Sequence, residues 1–227
     1  MAKATLNDKP QFALPPTGTT LARCFKVIHL GTQQSDWKGK VKIKPWVKVG
    51  WELPLLLHSF GEGQPEKPFR LTRKYPFTIF EGSNFRKLIE AWGNRQLTES
   101  EKTNGFDPKV LLNKTCQLTV AIEKGTDGNQ YAVPSSIGPL MKEMKDKANN
   151  IVQHAQTCPP LISGIVYFDP ENPETFAAWE LLTDAEKAEI RKSPEYKLNA
   201  REIEPSAAPA QTGVPVASSD DIDDKEF

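Results

Sequence analysis

The chain has 227 residues and a mass of 25.4 kDa, a length that suits one medium domain with extensions or two small ones. Its hydrophobic fraction of 38% is low but enough for a core, and the lack of any apolar run of 18 residues excludes a transmembrane helix. The net charge of zero argues against a nucleic-acid partner only as a sum: residues 1–79 carry 13 Lys/Arg against 5 Asp/Glu, residues 80–204 carry 15 against 19, and residues 205–227 carry 1 against 5.

Residues 1–20 hold Pro10, Pro15, Pro16 and Gly18 with little periodicity and no apolar h-region, so they read as an irregular arm rather than a secretory signal. A domain is expected over residues 21–200. Residues 21–31 read as a first strand and 32–40 as a turn. Residues 41–53 alternate, with Val41, Ile43, Val47, Val49 and Trp51 on one side and Lys42, Lys44, Trp46 and Lys48 on the other. Period-two alternation predicts a half-buried strand whose odd positions face the core. Pro45 has no N–H to donate and marks an edge or a bulge.

A Gly/Pro loop at 58–68 precedes a third strand over 69–80, rich in aromatic and β-branched residues. Ser83 caps a helix running to about Trp92, with Phe85, Leu88, Ile89 and Trp92 at helical spacing. Thr98 and Glu101 have capping-box spacing, and Asp107-Pro108 opens a further helical turn. Residues 114–124 and 130–137 read as strands flanking a hairpin turn at Asp127-Gly128. Residues 139–158 have the composition of a helical insertion, and 161–168 read as a short strand. Residues 174–192 read as a helix that the capping box of Thr183 and Glu186 divides. Residues 201–219 form a linker, small, Pro-rich and uncharged from 205 on, and residues 220–227 an acidic tip.

The order of three strands, a helix and a strand hairpin predicts a mainly β protein with added helices: an OB-fold-like antiparallel barrel followed by a disordered C-terminal tail. A split α+β sandwich fits the same order. Cys24, Cys116 and Cys158 are far apart and form no zinc pattern, so they point to a reducing cytoplasm and free thiols, Cys24 and Cys116 as small core residues. Phosphate-loop, dinucleotide, HExxH and GxSxG motifs are absent. Asp169, Glu171 and Glu174 lie in a Pro-containing segment that suits loop and helix-cap roles better than a metal-dependent nuclease.

Two constellations carry chemistry. Trp37, Lys38, Lys40, Lys42, Lys44, Trp46 and Lys48 combine a row of ammonium groups with rings. Such a row follows a phosphate backbone, and exposed rings stack on bases. Arg73, Lys74 and Tyr75 extend this set, with Phe69 and Phe77 expected in the core and Tyr131 a weaker contact. The alternative is a solvated lysine face that discourages edge pairing. The second constellation is the tip, where Asp220, Asp221, Asp223 and Asp224 precede a terminal Phe227. A ring and a carboxylate on one residue suit a basic-rimmed hydrophobic pocket on a partner.

Residues Asp220-Asp221-Ile222-Asp223-Asp224-Lys225-Glu226-Phe227 resemble the acidic tip of bacterial and phage single-stranded DNA-binding proteins. Gly105-Phe106-Asp107 with Leu111-Leu112, Cys116–Val120 and Val166-Tyr167-Phe168-Asp169 resemble segments of the phage members. The resemblance implies an OB-fold core that coats single strands and a tip that recruits replication, recombination and repair proteins. Lys225 and Glu226 depart from the bacterial Ile-Pro, which fits a phage variant with its own partners. The expectation is therefore sequence-independent binding in a host cytoplasm, compatible with a homo-oligomer, with no membrane, no cofactor and no catalysed reaction. A strand-annealing mediator and a Mg²⁺-dependent nuclease are the alternatives.

Overall fold

The computed structural model describes residues 13–37 and 40–199, without the side chains of 35–40. The protein is mainly antiparallel β with short helices and an open, OB-like sheet. Strands β1 (Gly18–Trp37), β2 (Lys40–His58), β3 (Lys67–Pro76), β4 (Thr115–Lys124) and β5 (Gln130–Gly138) form the path β3-β2-β1-β4-β5. The first strand serves both halves. Its start, Gly18–Arg23, pairs with β4, and the stretch from Arg23 to Trp37 pairs with β2. Helix α1 (Asn84–Gly93) lies between β3 and β4 in the chain and packs against β3 and β5.

Local chemistry explains the helices. The Ser83 side chain accepts a hydrogen bond from the Arg86 N–H at the start of α1, and Phe85, Leu88, Ile89 and Trp92 turn one apolar face inward. Helix α2 (Glu99–Asn104) begins with the capping box of Thr98 and Glu101, and Pro108–Leu111 forms a 3₁₀ turn capped by Asp107. The main core joins Val47, Val49, Trp51, Leu53, Leu71 and Phe85 with Cys24, Cys116 and Leu118. Each fully buried aliphatic or aromatic side chain there contributes roughly 1.5–3 kcal/mol. Burial pushes the Cys24 thiol up to about 12, so it is inert at neutral pH.

Four expectations are corrected. Residues 32–37 are strand rather than turn: β1 continues through Trp37 and β2 resumes at Lys40, drawing the hairpin into a two-stranded arm. Residues 139–158 are not helical. They contain a small hairpin, β6 (Met144–Lys145) with β7 (Ile151–Gln153), because Asp146 accepts from the Ala148 and Asn150 N–H groups while Asn149 adopts a left-handed φ of 65°. The strand at 161–168 shrinks to β8 (Val166–Phe168), paired parallel to β1 at Lys26–Ile28. Strand β1 also begins at Gly18, inside the segment read as irregular.

The C-terminal elements build a second core on the outer face of β1. A 3₁₀ segment, Pro173–Leu181, leads to α3 (Asp184–Ile190), which starts at the capping box of Thr183 and Glu186, and then to α4 (Pro194–Asn199). Ile28 and Leu30 pack there with Val166, Phe168, Trp179, Leu182 and Ile190. The strand bends at Gly31, where the register with β2 shifts and φ is +70°, and the arm leaves the body beyond Thr32 and Gln33, which bond to Glu195 and to the Glu189 carbonyl. A Cβ at Gly31 would stand 2.5 Å from Ser193 Cβ, so glycine alone allows both the bend and the close approach. The proposed linker at 201–219 and tip at 220–227 lie outside the described residues.

Candidate nucleic-acid interface

The ten domain residues expected to contact DNA fall into different places. Lys42 and Lys44 stand half-exposed on the arm, opposite Ser35 and Gln33. The register sets Trp37 opposite Lys40 farther out, but the side chains of Trp37 and Lys40, and all of Lys38, lie outside the described residues. On the other face of the same ribbon, Val41 is 57% and Ile43 67% exposed. The expected placement of these two in the core is thus corrected. Here β2 pairs only with β1, and a two-stranded ribbon buries side chains only where another layer covers one of its faces.

Lys48 is only 3% exposed and leaves the contact set. Its Nζ lies 3.4 Å from Glu186 Oε1, and the Nζ of Lys26 lies 3.0 Å from Glu186 Oε2. Lys26 is 4% and Glu186 2% exposed, so one carboxylate from α3 is buried between two ammonium groups of β1 and β2. Burial alone would raise the Glu186 carboxyl. The charges of Lys26 and Lys48, with hydrogen bonds from Thr183 and Lys26, outweigh it and hold the carboxyl below the ordinary value. Burial lowers the Lys26 ammonium, against the pull of Glu186.

Lys74 pairs with Glu189 of the same helix at 3.2 Å. Tyr75 is buried in the main core, its ring 6.2 Å from that of Phe85. It is therefore a packing residue, as Phe69 is, because β3 pairs Tyr75 with Val47 on the inward row. Trp46 is half-buried at the base of the arm and packs against the second core. Arg73 shares the inward row of Leu71 and Tyr75, and its Nη1 donates to the Pro134 carbonyl of β5 at 2.8 Å. Tyr131 lies in β5, and its hydroxyl donates to Asp127 in the hairpin turn at 2.8 Å.

Three features escaped the sequence reading. Glu186 is the partner of two lysines, Lys26 and Lys48, that lie far upstream in the chain, and no local pattern shows this. Lys87 stands exposed on α1 beside Arg73. Glu52 is fully buried and accepts from the Ile162 and Ser163 N–H groups, while Arg70 approaches it at 3.9 Å. The signal for Arg73 was available: an arginine on an inward-facing row needs a gap or a carbonyl. Among the described residues, no group of three His, Cys, Asp or Glu side chains could hold a metal, and no helix is long and apolar enough to cross a membrane. Comparison with protein-family models, with curated proteins and with solved structures returns no match.

Proposed function

We propose that this protein binds single-stranded DNA without sequence preference and protects it in phage DNA replication, recombination and repair, while its acidic end recruits partner proteins. The observation that carries the reading is the arm. Residues 34–44 hold four lysines against one aspartate, and the described part of that stretch, with Lys42 and Lys44, projects from the body as a two-stranded ribbon beside an OB-like sheet. Ammonium groups alternating with exposed Val41 and Ile43 offer phosphate contacts on one side and apolar contacts on the other. A ribbon without a covering layer gains buried surface when a strand lies along it.

The acidic end enters through the resemblance of residues 220–227, whose charge complements the same lysines. The test is tryptophan fluorescence during titration with poly-dT at low salt, with Trp46 at the base of the arm as one reporter. Quenching that reverses as salt rises is the expected result. Absence of quenching together with absence of affinity at low salt overturns the proposal.

A further inference from the structure

The sheet path ends on β3 and on β5, which face each other without a hydrogen-bonded ladder. Arg73 Nη1 spans the seam to the carbonyl of Pro134, a residue with no N–H of its own. Helix α1 packs on both strands, and beneath it the seam opens into a groove of about 300 Å³. Buried Tyr75, Leu88 and Leu118 line its apolar part. Arg73 and Lys87 line it as cations, and no acidic residue does.

Neighbouring cations are spoken for: Lys74 by Glu189, Arg86 by Glu90 and Arg70 by Glu52. Arg73 and Lys87 have no carboxylate partner among the described residues, although both border the groove. A guanidinium with unused N–H groups beside an ammonium recognises an anionic oxygen cluster, and an apolar wall recognises a planar ring. Exposed Ser135 and Ser136 donate their hydroxyls to Thr119 of β4, which leaves their oxygens as acceptors for a base edge. A volume near the lower end of ligand sites suits one nucleotide rather than several.

We infer that this groove seats one nucleotide of the bound single strand, its phosphate against Arg73 and Lys87 and its base against the apolar wall. The inference rests on the proposed single-strand binding. It adds a contact point on the far edge of β3, separate from the arm.

The test measures oligo(dT) affinity of the full chain across salt for Lys87→Glu, Lys87→Arg and Ala91→Trp. Position 91 is exposed on the groove wall, so the indole fills the groove from outside, and thermal melting checks that each variant folds. Lys87→Glu is expected to bind about tenfold more weakly, with the slope of log affinity against log salt shallower by about 0.7. Lys87→Arg is expected to retain wild-type affinity. Ala91→Trp is expected to lose about tenfold with its salt slope unchanged, because it blocks the base and not the phosphate. Wild-type affinity in both Lys87→Glu and Ala91→Trp, while charge reversal at Lys42 and Lys44 weakens binding, overturns the groove and leaves the arm reading standing. The groove is overturned equally if those two variants instead lose affinity for a peptide of residues 220–227. Failure of the wild-type chain to bind oligo(dT) removes the proposed function, and this site with it.

Discussion

Strand β2 carries one alternating pattern and two outcomes. In its outer part, Lys42 and Lys44 are half-exposed while Val41 and Ile43 are largely exposed. In its inner part, Val47, Val49 and Trp51 are buried, and so is Lys48. The residue types barely differ, so the difference comes from what lies above and below the strand. The inner part has β3 beside it, the main core on one face and α3 on the other. The outer part has only β1. Alternation therefore predicts a strand, but burial requires a second layer.

Removing the carboxylate that makes Lys48 tolerable is the most severe way to probe this contrast. Glu186→Ala leaves two buried ammonium groups without a counter-charge and is expected to cost about 3–5 kcal/mol in urea unfolding. A cost below about 1 kcal/mol would show that the inner lysines do not depend on α3.

Acid probes the same contact more gently. The Glu186 carboxyl lies below its ordinary value, so its contribution is present above the ordinary carboxylate range and is lost as pH falls through the lowered value. The stability gap between wild type and Glu186→Gln, read from urea midpoints against pH, is expected to shrink as pH falls through that range. A constant gap would contradict the assignment.

The boundary between the two regions comes next. Gly31→Ala places a Cβ against Ser193 at a φ of +70° and is expected to cost about 1–3 kcal/mol in strain alone. The crowding at Ser193 adds to this. Thermal melting reads the loss.

Matched truncations then compare the two halves directly. Val47→Ala is expected to destabilise by about 2 kcal/mol, through lost transfer energy and a residual cavity. Val41→Ala is expected to stay within about 0.5 kcal/mol of wild type. Equal effects would mean that the arm is covered in solution.

The smallest effect on stability and the largest on binding belong to the arm lysines. Lys42→Glu with Lys44→Glu is expected to leave the melting temperature nearly unchanged. The salt slope of poly-dT binding is expected to become shallower by about 1.4, because each lysine that no longer neutralises a phosphate removes about 0.7 from it. An unchanged slope would remove the arm from the interface.

The elements legible in the sequence are those written within a few residues. Ser83, Thr98, Asp107 and Thr183 hold their helix or 3₁₀ starts through bonds to residues two or three positions ahead, so spacing alone located them. Period-two alternation likewise located the strand at 41–53, because the pleat is a property of each strand. Where two local preferences compete, composition misleads. The segment 139–158 carries helix-forming residues, but the turn at Asp146 and Asn149 wins.

What the sequence alone determined is the helix caps, the places of the main strands, the basic first third and the lysine row. What the tertiary structure decided is which of those lysines can meet a ligand. Lys48 is removed by Glu186, Lys74 is drawn to Glu189, and Arg73 is aimed into the seam with Pro134. Charge distribution is additive along the chain and can be read residue by residue. Burial and pairing depend on groups brought together from distant parts of the chain, as Arg73 and Pro134 are at a separation of 61 residues, and only the packed fold specifies them.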